Sequence, residues 1–209
     1  MGEDDAAASD SWPAISTGSA SVLDDVQQLK GLTFETARRH ITAEFGAPVW
    51  ESLMAALPRH TQTLFKEANI NDWYPESEMR RFIHVLHDKL AEGNDERFLE
   101  IARGLAMAGI NRFFRMILNL ASAGFVLRKV PVLWTRLRRG PAKLRAEVTN
   151  DGRVLIHYED FRYCRDPLYR LLSIANCQAL VLAATDRLPQ AEVIDCTRTT
   201  MTLSFRLPA

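Results

Sequence analysis

Apolar positions along this chain repeat first with the period of a helix and later with the period of a strand. The clearest helical case is "NDWYPESEMRRFIHVLHDKLAEGN" (71–94), where Met79, Phe82, Ile83, Leu86 and Leu90 fall at i, i+3, i+4, i+7 and i+11. That spacing puts all five on one stripe facing a core, with Pro75 tolerated at the start and Gly93 marking the exit. Before it, "TFETARRHITAEFG" (33–46) reads as a helix with Thr33 as cap candidate and Gly46 as a left-handed stop. "APVWESLMAAL" (47–57), ending near Pro58, and "RHTQTLFKEA" (59–68) continue the helical pattern. "DERFLEIARGLAMAGINRFFRMILNLASA" (95–123) predicts one or two long, nearly buried helices, and Gly104, Ala106, Ala108 and Gly109 would let a neighbour approach closely.

After Pro141 the period changes to two. "KLRAEVTNDGRVLIHYED" (143–160) is a pair of alternating runs joined at Asn150, Asp151 and Gly152, which predicts a β-hairpin. Asp166 then caps a helix whose first residue is Pro167, and "LYRLLSIANCQALVLAATD" is apolar nearly all round, so it should lie against the sheet. "AEVIDCTRTTMTLSFRLPA" alternates again and predicts two last strands turning at Thr197 to Thr200. The expected class is α+β: an N-terminal helical half packed on a four-stranded antiparallel sheet, with a strand, strand, helix, strand, strand C-terminal half. Residues 1–22 are rich in Ala, Ser, Gly and Asp and predict a flexible acidic tail, leaving 23–209 as one domain.

Composition narrows the function classes. With 47% hydrophobic and 25% charged residues and a formal net charge of zero, the chain is not a globally basic nucleic-acid binder. The N-terminus lacks the basic and apolar regions of a secretory signal, and the three cysteines Cys164, Cys177 and Cys196 form no CxxC pair. Reduced thiols in a cytoplasmic protein are therefore expected. No uninterrupted apolar run approaches the roughly 20 residues of a membrane span.

Charge is distributed unevenly all the same. Between Glu100 and Glu147 there is no acidic residue but there are ten basic ones. The densest part is "FVLRKVPVLWTRLRRGPAKLR" (125–145). A short helix from Pro131 to a stop at Gly140 would place Arg136, Arg138 and Arg139 in its last turn, where cations favour the helix dipole. Val130, Leu133, Trp134 and Leu137 would then face inward. The alternative is an interaction patch of Arg128, Lys129, Arg136, Arg138 and Arg139 for an acidic protein or an anionic membrane. Trp134 is the only ring from 126 to 157, too few for single-strand nucleic-acid binding.

No GxSxG, P-loop or GxGxxG is present. His84 and His87 lie three apart with Asp88 beside them, but two ligands without a third do not make a metal site. His157, near Glu159 and Asp160, is the one acid-base candidate, and a polar strand end accounts for it equally well. No catalytic residue, metal or cofactor is expected.

Several phrases carry a family likeness: "LKGLTFETARRHI", "NDWYPESEMRRFI", "LASAGFVLRKVPVLWTRLRRGPAKLRAEV" followed by a hairpin, and the closing cysteine-bearing strand pair. The chain resembles an uncharacterised myxobacterial paralogous family. That family is similar in turn to the vinyl-reductase-like (4VR), haem-NO-binding and TRAPP-subunit ligand-binding superfamily, over about residues 30 to 209. The resemblance implies a homodimer joined through its helices that senses small molecules or acts as an assembly subunit with a protein partner. Cys196 matches the first cysteine of the zinc-bearing 4VR strand signature, but no cysteine stands near Met201 to Ser204. No histidine matches a haem ligand. The reading is a non-enzymatic signalling or scaffolding domain holding a small apolar ligand between helices and sheet. Phe113, Phe114, Ile117, Leu118, Leu172 and Leu180 are the candidate pocket wall, though a filled core is the simpler account of the same residues.

Overall fold

The computed structural model describes residues 27–110 and 122–207. Among the described residues the chain runs β1 (Gln28–Lys30), α1 (Gly31–Phe45), α2 (Ala47–Ala55), α3 (Arg59–Glu67), β2 (Trp73–Pro75), α4 (Glu76–Lys89) and α5 (Asp95–Gly109). It resumes with α6 (Ala123–Arg128), α7 (Val130–Leu137), β3 (Arg138–Arg139), β4 (Lys143–Val148), β5 (Val154–Glu159), α8 (Pro167–Thr185), β6 (Gln190–Cys196) and β7 (Met201–Arg206). The fold is α+β, and the predicted four-stranded antiparallel sheet is present in the order β4-β5-β7-β6.

The sheet follows from strict alternation. Val154, Ile156 and Tyr158 of β5 and Met201, Leu203 and Phe205 of β7 are buried. Cross-strand register aligns Ile156 with Leu203 and Tyr158 with Met201, so one face is apolar throughout. Gly152 takes the left-handed conformation the hairpin turn needs (φ 80°). Helix α8 is mostly buried, as its all-round apolar pattern predicts, and packs along α5. It is also long and apolar enough by composition to cross a membrane, but the core residues of this fold cover most of it.

In the helical half the α4 stripe is buried at all five predicted positions. Phe34 of α1, Trp50 of α2, Phe65 of α3 and Phe82 of α4 meet there with ring centroids 4.7 to 5.8 Å apart. Gly46 ends α1 at φ 89°. The start of α1 differs from expectation: Lys30 is the cap position, the helix begins at Gly31, and the Thr33 hydroxyl caps nothing. Gly31 is required because a Cβ there would lie 1.9 Å from the Asn69 carbonyl oxygen. Only Phe98, Ile101 and Ala102 of α5 are fully buried. Its later residues border a cavity, so this helix is less covered than its composition predicts.

A second sheet was not legible in the sequence pattern. β1 pairs antiparallel with both β2 and β3, setting Leu29 opposite Tyr74 on one side and Arg138 on the other. Strands of two or three residues are too short to show a period. One consequence is a correction to the basic stretch: α7 ends at Leu137, and Arg138 is extended (φ −133°, ψ 146°). Of the three arginines expected in the last helical turn, only Arg136 lies there.

Candidate functional site

The two sheets and the helices between them leave a cavity of about 320 Å³. Its walls come from the first turns of α1 (Leu32, Thr33, Thr36, Ala37), the end of α5 (Leu105, Ala106, Gly109, Ile110), α7 (Val130, Leu133, Trp134, Leu137) and α8 (Leu172, Cys177, Leu180). Leu172 and Leu180 therefore border this space, whereas Phe113, Phe114, Ile117 and Leu118 fall outside the described residues. Amphipathic spacing brings each helix to the site. Val130 and Trp134 turn one edge of α7 into the core, which leaves Leu133 and Leu137 half-buried on the cavity side. Trp134 is fixed edge-on against Tyr158 and Phe161, at 5.5 and 5.2 Å between centroids.

The charged side chains of the wall are Arg136 and Arg138. Arg138 lies in β3 opposite Leu29 of β1, and Thr33 follows Leu29 by four residues, in the first turn of α1. Arg138 donates from Nε to Glu76 Oε1 at 3.0 Å and stacks on Trp134 with its guanidinium 4.1 Å from the ring centre. The Arg138 side chain is 12% exposed and that of Glu76 is 0% exposed. Burial pushes the Glu76 carboxyl above its ordinary range, against the opposing pull of Arg138. Glu76 Oε2 and Thr33 Oγ1 are buried without a hydrogen-bond partner. Such groups cost free energy unless something else satisfies them.

The rest of the basic stretch divides into separate environments. Arg128, Lys129 and Arg136 are exposed, Lys129 with its ammonium 5.3 Å from the Phe125 ring centre. Arg139 stacks at 4.1 Å on Trp73, a ring the sequence could not connect with it because β2 is 64 residues away in the chain. Arg136 borders the cavity.

The remaining candidates lie elsewhere. His84 Nε2 is 2.8 Å from Asp166 Oδ2, while His87 Nε2 is 3.0 Å from Asp95 Oδ1, so the two histidines serve different carboxylates. No group of three or more metal-ligating side chains occurs among the described residues. His157 lies on the outer face of the sheet, with Nδ1 3.1 Å from Thr202 Oγ1 and Nε2 3.6 Å from Glu147. Cys196 donates to the Cys164 carbonyl at 3.0 Å, and Cys177 stands apart at the cavity wall. Burial pushes the Cys164 and Cys177 thiols up to about 12, so both are protonated at neutral pH. Sequence reasoning missed Glu76, which reads as an ordinary first-turn acid. It also missed Leu105 and Ile110, and it read Ala106 and Gly109 as permitting close helix packing, whereas both border the cavity.

No family model matches the chain, and no curated protein matches it in sequence. Solved structures do match in shape. An H-NOX protein from S. oneidensis in the Fe(II)NO ligation state superposes with a TM-score of 0.57 at 13% identity, over 86% of this chain and 100% of that one. The Fe(II) unliganded H-NOX protein from K. algicida gives 0.60 at 11% identity, over 85% of this chain and 95% of that one. At this identity the likeness establishes a fold shared with these H-NOX proteins.

Proposed function

We propose that this chain is a non-enzymatic small-molecule-binding domain that signals or scaffolds as a dimer and takes a compact, largely apolar ligand in the cavity between α1, α5, α7 and α8. The observation that carries this reading is the cavity itself. Its wall is mostly apolar, and 320 Å³ falls within the roughly 300–1,000 Å³ of small-molecule sites, whereas a second cleft, lined by Gln27, Pro141, Asp160, Arg162, Arg198 and Thr199, is polar. The fold adds support, since its H-NOX neighbours include proteins studied for heme distortion.

The residues of this chain do not suit a heme. No histidine borders the cavity among the described residues, and none occurs between His87 and His157 in the sequence. Residues 111–121 contain no His, Cys or Tyr either. Cys177 and Tyr158 do border the cavity, but burial pushes the Cys177 thiol up to about 12 and raises the Tyr158 hydroxyl as well, so neither is the anion an iron would bind. His40 turns toward Gly104, where a Cβ would come within 2.8 Å of its Nε2, and it does not border the cavity. The ligand proposed here is accordingly an organic molecule without a metal.

Titration with the neutral fluorescent probe N-phenyl-1-naphthylamine tests the reading. Saturable binding that Ala106→Phe weakens at least tenfold, with an unchanged circular dichroism spectrum, is the expected result. No binding, or binding indifferent to Ala106→Phe, would reject it. Hemin titration should give no saturable Soret shift.

A second reading has its own support. Arg128, Lys129 and Arg139 are exposed and form no ion pair among the described residues. They would suit an acidic protein partner or an anionic membrane. Binding to anionic vesicles that falls steeply with salt and disappears in the Arg128→Glu, Lys129→Glu, Arg139→Glu variant would favour it.

A further inference from the structure

We infer that the ligand of this cavity is an amphipathic carboxylate, its apolar body between α5 and α8 and its carboxylate at the β1–β3 end beside Arg136 and Arg138. This inference rests on the small-molecule reading above and specifies the chemistry of the ligand's head.

The first observation is the charge of the lining. Arg136 and Arg138 border the cavity, and no Asp or Glu does so among the described residues. The reason lies in the sequence: the cavity's α5 and α7 walls belong to the stretch between Glu100 and Glu147 that has no acidic residue. Two of the ten basic residues of that stretch, Arg136 and Arg138, border this space.

The second observation is unmet hydrogen bonding at the same end. A guanidinium carries five donors, and the only side-chain hydrogen bond Arg138 makes among the described residues is from Nε to Glu76. That bond engages Nε and leaves the two terminal nitrogens without a side-chain partner among the described residues. Arg136 has no ion pair among the described residues, and Thr33 Oγ1 is buried without a partner. Arg138 and Thr33 are placed at one end by the Leu29 pairing, and Arg136 precedes Arg138 by two residues. A carboxylate there would accept from guanidinium N–H groups, a charge-assisted geometry that arginine suits better than lysine. A Thr33 hydroxyl could donate to the same group.

The third observation is the contrast along the cavity. Besides the arginines the wall is mainly apolar, including Leu105, Ile110 and Leu180, and its other polar side chains, Thr33, Thr36, Ser173 and Asn176, carry no charge. An uncharged tail and a charged head match this gradient.

The test uses the full chain with N-phenyl-1-naphthylamine bound, displaced by decanoate or by 1-decanol below their aggregation limits. Decanoate should compete at concentrations about tenfold lower than decanol. Arg136→Gln should remove most of that preference while leaving decanol competition unchanged, and Thr33→Val should reduce it about threefold. Arg138→Gln is a less suitable variant because it also breaks the buried pair. Equal competition by decanoate and decanol, unaffected by Arg136→Gln, would overturn the head-group inference while leaving the apolar cavity in place. Failure of the probe to bind at all would remove the small-molecule reading itself.

Discussion

Two of the three buried carboxylates, Asp166 and Glu76, tie distant elements together, and they are satisfied to different degrees. Asp166 sits where α8 begins against α4. It accepts from the backbone N–H groups of Leu168 and Tyr169, from Arg80 Nε at 2.6 Å, and is 2.8 Å from His84 Nε2. Glu76 begins α4 and reaches Arg138 across the second sheet, but only one of its oxygens has a partner. Burial acts on both groups. At Asp166, burial pushes the pKa up, yet the hydrogen bonds and charges of His84 and Arg80 outweigh it, and the result is a lowered pKa. At Glu76 burial wins and the pKa is raised. A fully partnered carboxylate is a structural joint, whereas a partly partnered one beside a cavity leaves its arginine able to take another anion.

The contrast is most severely challenged by Arg138→Ala, which removes one partner of a buried pair and should cost about 3 kcal/mol in urea denaturation. A loss below about 1 kcal/mol would mean that the Glu76 joint contributes little to the fold. Asp166→Ala should cost about 2 kcal/mol, combining a lost N-cap with charge-assisted bonds to side chains that are themselves partly exposed. Glu76→Gln should change stability at neutral pH by about 1 kcal/mol or less, since neutralising a half-satisfied buried carboxylate relieves desolvation as it weakens the pair.

The pH dependence should separate the two groups by sign. Asp166 contributes stability that is present above its ordinary value of 3.8 and is lost as pH falls through its lower folded pKa. Glu76 behaves oppositely: its contribution is fully present below 4.5 and declines as pH rises through the raised folded pKa. Denaturation of Asp166→Asn and Glu76→Gln between pH 3 and 8 should therefore flatten opposite limbs of the stability profile. Flattening of the same limb in both would show that the two sites do not differ as described. The smallest expected effect is chemical. Native protein at pH 7.5 should leave Cys177 unmodified by iodoacetamide, because its thiol is buried and protonated.

Legibility followed the length of each pattern. The α4 stripe, the hairpin at Gly152, the Asp166 cap and the strand, strand, helix, strand, strand order could all be read because each is encoded within a few successive residues. Thr33 was misread as a cap because the helix start is decided by β1, which feeds directly into Gly31. Arg138 could be read as the end of a helix, since nothing local shows that Leu29 pairs with it. Leu172 and Leu180 looked the same as core or as pocket wall, and only the gap beside Leu105 and Gly109 distinguishes the two.

By itself, the sequence determined the α+β class, the antiparallel four-stranded sheet, the buried faces of α4 and α8, and a long stretch without acidic residues. These depend on periodicity and composition, which act over one or two turns. Tertiary structure alone decided that the end of α5 and α7 line one cavity, that Arg138 meets Glu76 from 62 residues away, and that Arg139 meets Trp73. The reason is that burial and electrostatic partnership belong to the space between elements, and no local pattern records which distant side chain will occupy it.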